Sequence, residues 1–430
     1  MNGRREPGMR RGERTPRRRR VHPLAAVPLA LLLGLGLGGC DSLLEVSTPG
    51  AVAEEDLNDP QLATSLVVGA LGRFECAVTQ YGLVTGILAW EFWTSSGFRV
   101  VNAWSQRIDA ARESAGGCST SRGSVGMGVY FALQQARTQG EDAYERISAF
   151  PADAVPDKEQ NLAALAAYTA YSYALLGEGF CELTFDGGPS QPPSAGLTMA
   201  EDWFTLALEH AAVAGDDDIR NMALVGRARV RLNMGQGQLA VQDAAQVPEG
   251  YTRYARHTST AGIRENRIWG VNNFAGAVSV TDEYRNLEVQ GVPDPRVPVQ
   301  DAGANGQDGV TRLWVQQKFT GPDSWTPIAS WREAQLIIAE VEGGQVAVDI
   351  INRLRDDWDL PHFQSDDPDE IFQQVIEERS REFFGEGHRL NDKLRHDIPF
   401  PGPVDHQGAT FGPMTCMFLP LAETQDNPNF

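Results

Sequence analysis

The sequence predicts an all-α fold, a scaffold of repeated helix pairs interrupted by one irregular, loop-rich insertion. Three observations predict it. Apolar residues recur at helical spacing through much of 56–245 and again through 329–395. Ala-rich segments joined by short turns return at about 35–40 residues per pair, the period of a two-helix unit. Between these blocks, residues 250–328 are rich in Gly, Pro, Asn and Asp and carry little helical period.

In order along the chain, the first helix is expected over Asp56 to Ala70, beginning near Asp59-Pro60. Val129 to Phe150 reads as a second. Leu162 to Leu176 is a third, Ala-rich and stopped by Gly177. Thr198-Met199-Ala200-Glu201 has the form of a capping box, which would start a helix running to Gly215. Another runs from about Asp218 to Met234, with Gly235 as its stop. Small residues let such helices approach closely, and the tetratricopeptide-like repeat is the nearest type. A 250–328 stretch is too long for a simple connection, so it is expected to pack as an insertion with short strands such as Thr311 to Phe319. Helices resume at Ile328. Trp331, Ala334, Ile338 and Val341 form one apolar stripe, and Ala347, Ile350, Ile351 and Leu354 a second. Asp367-Pro368-Asp369-Glu370 opens a third, with Asp as N-cap and Pro at N1; Phe372, Ile376 and Phe383 line it, and Gly385 and Gly387 end it. The tail from Pro399 reads as irregular.

The 430 residues carry 37 Lys or Arg against 57 Asp or Glu, a formal charge of −20. The charge is segregated. Residues 1–22 hold nine Arg and two Glu, a net +7, so the rest of the chain stands at −27. A chain this acidic lacks the basic face that nucleic-acid binding requires. The basic start, the apolar run Leu24 to Gly39 and the small residues that follow have the pattern of a secretory signal over 1–39. The run is short for a membrane span, which needs ~20 residues. Leu37-Gly38-Gly39-Cys40 is similar to a lipobox, which marks Cys40 as the lipidation site and residues 40–430 as a single mature domain. Gly34 to Gly39 also satisfies GxGxxG, but it lies in the signal segment with no strand before it, so no dinucleotide cofactor is expected. Export implies an oxidising compartment, where Cys76, Cys118, Cys181 and Cys416 can form disulfides in any of three pairings.

The C-terminal half carries a more specific pattern. Trp331-Arg332-Glu333-Ala334 with Ala339-Glu340, then Asn352 and Arg355, precede Glu377-Glu378-Arg379-Ser380-Arg381-Glu382-Phe383-Phe384-Gly385-Glu386-Gly387-His388-Arg389, with Asp392 and Arg395 after it. Asp294-Pro295-Arg296, Lys318-Phe319, Cys416 to Pro420 and Asn427-Pro428-Asn429 fit the same order. With these residues the chain resembles the SusD/RagB family of outer-membrane lipoproteins over nearly all of its mature length. Leu390 departs from it, standing where the family usually has an aromatic. The resemblance implies a helical scaffold of tetratricopeptide-like units (SusD-like) and no enzymatic activity. It implies capture of nutrients, usually glycans and sometimes peptides, at the outer face of the outer membrane. It also implies delivery to a partner TonB-dependent (SusC-like) transporter.

Sugars offer C–H faces and hydroxyls, so their capture needs flat aromatic surfaces beside hydrogen-bonding groups. Two stretches qualify. The first runs from Trp90 to Arg107 and supplies Trp93, Phe98, Trp104 and Arg107 as candidate ligand-binding residues; the second, in the insertion, supplies Asn272, Tyr284, Trp314 and Trp325. Trp203 and Trp331 lie on helical stripes and are expected in the core. Glu378 and Glu382 share a helix face as a carboxylate pair would, but the interleaved Arg residues read as a structural ion-pair network. Asp301 to Gly306 mimics the start of an EF-hand loop, yet Arg312 stands where the bidentate Glu is required, so no metal site is expected there. No HExxH, GxSxG or P-loop spacing occurs, and no catalytic residue is assigned. A helical glycan-processing enzyme and a peptide-binding member of the same family are the competing readings.

Overall fold

Asp59 accepts a hydrogen bond from Gln61 N and Pro60 occupies the first turn, so the chain enters its first helix where the sequence signal stands. A computed structural model describes residues 54–118, 126–260 and 262–430; the leader 1–39 and Cys40 lie outside these. Residues Glu54–Phe430 form one compact unit.

The scaffold runs α1 (Ala63–Leu88), β1 (Phe92–Thr94), α2 (Arg99–Ser105), α3 (Tyr130–Ala149), α4 (Lys158–Gly179), α5 (Pro193–Ala214), α6 (Asp217–Asn233) and α7 (Gly237–Ala244). The insertion follows with β2 (Thr252–Ala255), a π-helical turn Trp269–Phe274, β3 (Val278–Val280), β4 (Glu288–Val289), β5 (Val292–Pro293), β6 (Val299–Asn305), β7 (Arg312–Gln316) and β8 (Thr326–Ser330). Then come α8 (Trp331–Glu342), α9 (Gly344–Asp356), α10 (Pro368–Glu382), α11 (His388–Arg395) and α12 (Leu421–Asp426). The fold class is all-α as expected. Consecutive helices from α3 to α9 pack against one another in turn, and α10 returns onto α8 and α9, the arrangement of stacked helix pairs. The strands form four two-stranded antiparallel ribbons, β1–β3, β2–β8, β4–β5 and β6–β7.

Several elements depart from the sequence reading. The first helix extends to Leu88 rather than stopping at Ala70, because Phe74, Tyr81, Leu83, Val84 and Ile87 are fully buried and α1 is the central core helix. The Ala-rich helix passes Gly177 and ends at Gly179. Thr198 caps nothing: α5 begins at Pro193, and the Thr198 hydroxyl donates to the Ser194 carbonyl one turn back. The next helix starts one residue earlier than expected, with Asp216 as its N-cap through Ile219 N. In α8 the buried face is centred on Ala334 and Ile337, leaving Ile338 and Val341 half-buried. The tail holds the short α12. Asp367 does cap α10, accepting from Asp369 N and Glu370 N, and Trp331 is buried.

Two disulfides form, Cys76–Cys118 and Cys181–Cys416. The second closes 235 residues and is flanked by backbone hydrogen bonds from Cys181 N to Met417 O and from Met417 N to Gly179 O. It ties the tail to the end of α4. Replacing Cys181 and Cys416 by Ser is expected to cost about 2–5 kcal/mol of unfolding free energy. Denaturant titration of the variant against the parent measures this, with the tail from Pro399 loosening first by hydrogen exchange.

Candidate functional site

β1 pairs with β3 in the register Phe92 to Val280, Trp93 to Ser279 and Thr94 to Val278. Alternation along β1 sends Phe92 and Thr94 into the core and leaves Trp93 on the other face. There Trp93 stacks on His406, with ring centres 4.2 Å apart and planes 16° apart. The Arg285 guanidinium lies 4.8 Å from the Trp93 ring centre and 5.0 Å from that of Trp314, a cation held between two indoles. Arg285 is fixed by its Nε and Nη2, which donate to the Val280 carbonyl. Trp93, His406 and Arg285 wall an open cavity of about 700 Å³, completed by Asn102, Asp308 and Gln407; Trp314 backs Arg285 and packs on the core. The indole N–H of Trp93 is buried with no acceptor among the described residues.

The walls are latched together by local chemistry. Asp405 Oδ1 accepts from Gln407 N and Ala409 N, which shapes the loop that presents His406. Gln407 Nε2 donates to Asp308 Oδ2 at 2.8 Å and to Thr311 Oγ1 at 3.0 Å, joining that loop to the tip of the β6–β7 hairpin. Burial lowers the His406 pKa, so a neutral ring faces Trp93. The site therefore combines aromatic faces, one cation and several amide and carboxylate groups. It can hold a ligand with both C–H and hydroxyl surface.

Of the residues expected from sequence, Trp93 and Trp314 meet through Arg285, and Phe98 is exposed, next in the chain to Gly97, which lines the cavity. Four others are structural in place. Trp104 is 3% exposed in the main core. Arg107 is buried, donating to the Pro401 carbonyl at 2.7 Å and covering the Phe411 ring at 4.1 Å. Asn272 is fully buried and clamps strands, donating to Val278 O and Trp314 O and accepting from Gln316 N. Tyr284 is buried against Phe384, with its hydroxyl 2.6 Å from Ser380 Oγ. Trp325 is exposed on a different wall, beside Tyr254 and Arg256. Sequence reasoning missed Arg285, His406 and Gln407. Arg285 directly follows the Tyr284 that was singled out, and His406 lies in an irregular tail with no periodic or motif signal.

The charged C-terminal segment forms a network, as its composition suggested. Glu378 is held by Arg355 and Arg296, Arg296 by Asp294, and Arg379 by Asp392 at 2.8 Å. Asp301 pairs with Arg312 at 2.8 Å. Among the described residues no His, Cys, Asp or Glu group is arranged to hold a metal. Gly385 and Gly387 both take positive φ, the turn that carries the network back toward β1. There the Gly385 N–H donates to Glu91 Oε1 at 3.2 Å.

Glu91 is fully buried, and burial raises its pKa to about 7 against the weaker pull of that N–H and of Arg389 and Lys318. A folded-state pKa raised above the unfolded 4.5 favours the protonated acid. Its stabilisation is complete below pH 4.5 and is lost as pH rises through 7. Glu91→Gln is therefore expected to match the parent near pH 4.5 and to gain on it by about 3 kcal/mol by pH 8. Unfolding curves at the two pH values check this; a constant difference between the two proteins contradicts it.

No family model and no curated protein matches the chain. Solved structures do. A SusD superfamily protein from Bacteroides fragilis aligns with TM-score 0.62 at 13% identity, covering 86% of this chain and 99% of that one. A SusD homolog from Bacteroides thetaiotaomicron aligns with TM-score 0.61 at 14% identity, covering 88% and 98%. Surface glycan-binding protein A from Bacteroides thetaiotaomicron, solved with laminarihexaose, aligns with TM-score 0.60 at 13% identity, covering 86% and 98%. The chain has the SusD-like fold.

Proposed function

We propose that this protein captures oligosaccharides in the cavity walled by Trp93, His406 and Arg285, without chemical turnover. The carrying observation is the Arg285 guanidinium held between the two indoles at 4.8 and 5.0 Å, above an open cavity with amide and carboxylate edges. Aromatic faces take the C–H surface of a sugar ring, and Asn102 and Gln407 take its hydroxyls. The laminarihexaose complex of a protein with the same fold supports this ligand class. In the same reading, residues 1–39 direct export, and a lipid on Cys40 anchors the chain at the outer membrane, facing outward. The bound sugar then passes to a TonB-dependent transporter. The signal pattern, the Cys40 context and the resemblance in Glu377 to Arg395 support that part.

Calorimetric titration of the full chain with laminarihexaose and maltohexaose tests the binding. Saturable heat without release of shorter sugars is expected; release of shorter sugars on prolonged incubation sinks the non-enzymatic reading. Extraction from membranes in mild detergent tests the assembly, where the absence of a co-purifying transporter counts against delivery.

A further inference from the structure

We propose a second saccharide subsite, in the cavity between the β2–β8 ribbon and the end of α10, built around Trp358 and Glu382. The cavity holds about 530 Å³, within the range of ligand pockets at roughly 300–1,000 Å³. No residue lines both it and the Trp93 cavity. The two open at opposite ends of one hairpin. Gln317 and Pro298 flank the base of β6–β7, joined by a 2.7 Å backbone hydrogen bond, and Asp308 to Thr311 make the tip. Five residues of β7 place the ends ~17 Å apart.

Its chemistry is that of a neutral polyol site. Trp358 lines one wall, with Arg332 stacked over its ring at 5.3 Å, and its indole N–H is buried without an acceptor among the described residues. Glu382 is buried and its backbone carbonyl accepts from Lys318 at 2.8 Å, yet its carboxylate contacts are 3.5 Å, both from Arg332, which pairs more closely with Asp357 at 2.6 Å. The indole surface of half-buried Trp358 and a loosely paired carboxylate in one cavity match the C–H face and a hydroxyl donor of a sugar. Pro298 and Pro327 add apolar surface, and Tyr254 and Trp325 extend it outward as an exposed pair with ring centres 6.0 Å apart.

Charge favours a neutral ligand. Three cations line the cavity, but Arg296 is neutralised by Asp294 and Glu378, and Lys318 by Glu386 at 2.7 Å. What remains is Arg332 beside Glu382 and Asp357, so neither a free anion nor a free cation finds a strong unpaired field.

Titration of the full chain with laminarihexaose and maltohexaose is expected to need two sites. Glu382→Gln and Trp358→Phe should each weaken one of them ten-fold or more, while Trp93→Ala weakens only the other. Trp358→Phe retains most of the packing, so its effect is not one of misfolding; a circular dichroism melt within a few degrees of the parent checks that. The indole N–H resonance of Trp358, assigned by its absence in Trp358→Phe, should shift on sugar addition in the Trp93→Ala protein. One site lost entirely in Trp93→Ala overturns the second subsite and leaves the proposed function standing. One site lost only in Glu382→Gln does the reverse. No binding by the parent overturns both. A lysine peptide that binds and is displaced by Glu382→Gln, with the sugars inert there, overturns the saccharide assignment.

Discussion

Replacing Trp93 by Ala is expected to weaken hexasaccharide binding at the primary cavity by about 30-fold or more, equivalent to about 2 kcal/mol. Trp93 is the wall on which the others depend. It stacks on His406 on one side and meets Arg285 on another, so its removal frees both partners as well as deleting a face. The ring is half-buried and packed edge-on by Trp90 at 5.6 Å, so a stability loss accompanies the binding loss. Arg285→Ala separates the two effects. It removes the cation that bridges Trp93 and Trp314 and leaves both indoles in place, so affinity falls with little change in melting temperature. Equal affinity in parent and Trp93→Ala, measured by calorimetry, would remove this cavity from the function.

The largest stability effect is expected from Glu378→Ala. Glu378 is completely buried and satisfies two guanidiniums, Arg355 at Nε 2.9 Å and Arg296, with Gln374 donating to the same carboxylate at 2.8 Å. The fold tolerates these charges only as a group. Asp294, itself buried, still holds Arg296, but Arg355 loses its carboxylate and keeps only the Pro361 carbonyl. Breaking a buried pair from one side leaves an uncompensated charge and costs about 3–5 kcal/mol. Glu249→Ala is the contrast. Its partner Arg353 is more than half exposed, so solvent screens the pair and the loss stays below about 1 kcal/mol. Urea midpoints of the two variants measure the difference, with an unchanged slope showing that the same transition is followed.

Legibility in the sequence followed the range of the interactions concerned. The Asp367 cap and Pro368 depend on residues within one turn, and both stand where the pattern put them. The ion-pair reading of Glu378 also held, but its partners are Arg355 on α9 and Arg296 in the insertion rather than the interleaved arginines of its own helix. The Thr198 capping box satisfied the same local rule and failed. Pro193 starts that helix earlier, and packing of Gly196 and Leu197 against α4 keeps the upstream turn helical. Trp93 and Trp104 sit in one segment with similar polar neighbours, and composition does not separate them. Strand pairing with β3 turns one toward the cavity, and α2 turns the other into the core.

The sequence by itself determined the helical class, the loop-rich insertion, the acidic character of the chain beyond its basic start and the helix termini set by a local signal, such as the Asp367 start of α10 and the Gly215 stop of α5. Periodicity, caps and charge are properties of neighbouring residues. Only the tertiary structure decided which cysteines pair, which aromatics are walls rather than core, and that Arg285 and His406 complete the cavity with Trp93. Those residues lie some 120 to 310 positions apart. Their meeting depends on how the insertion and the tail fold back over β1, and no local propensity encodes that closure.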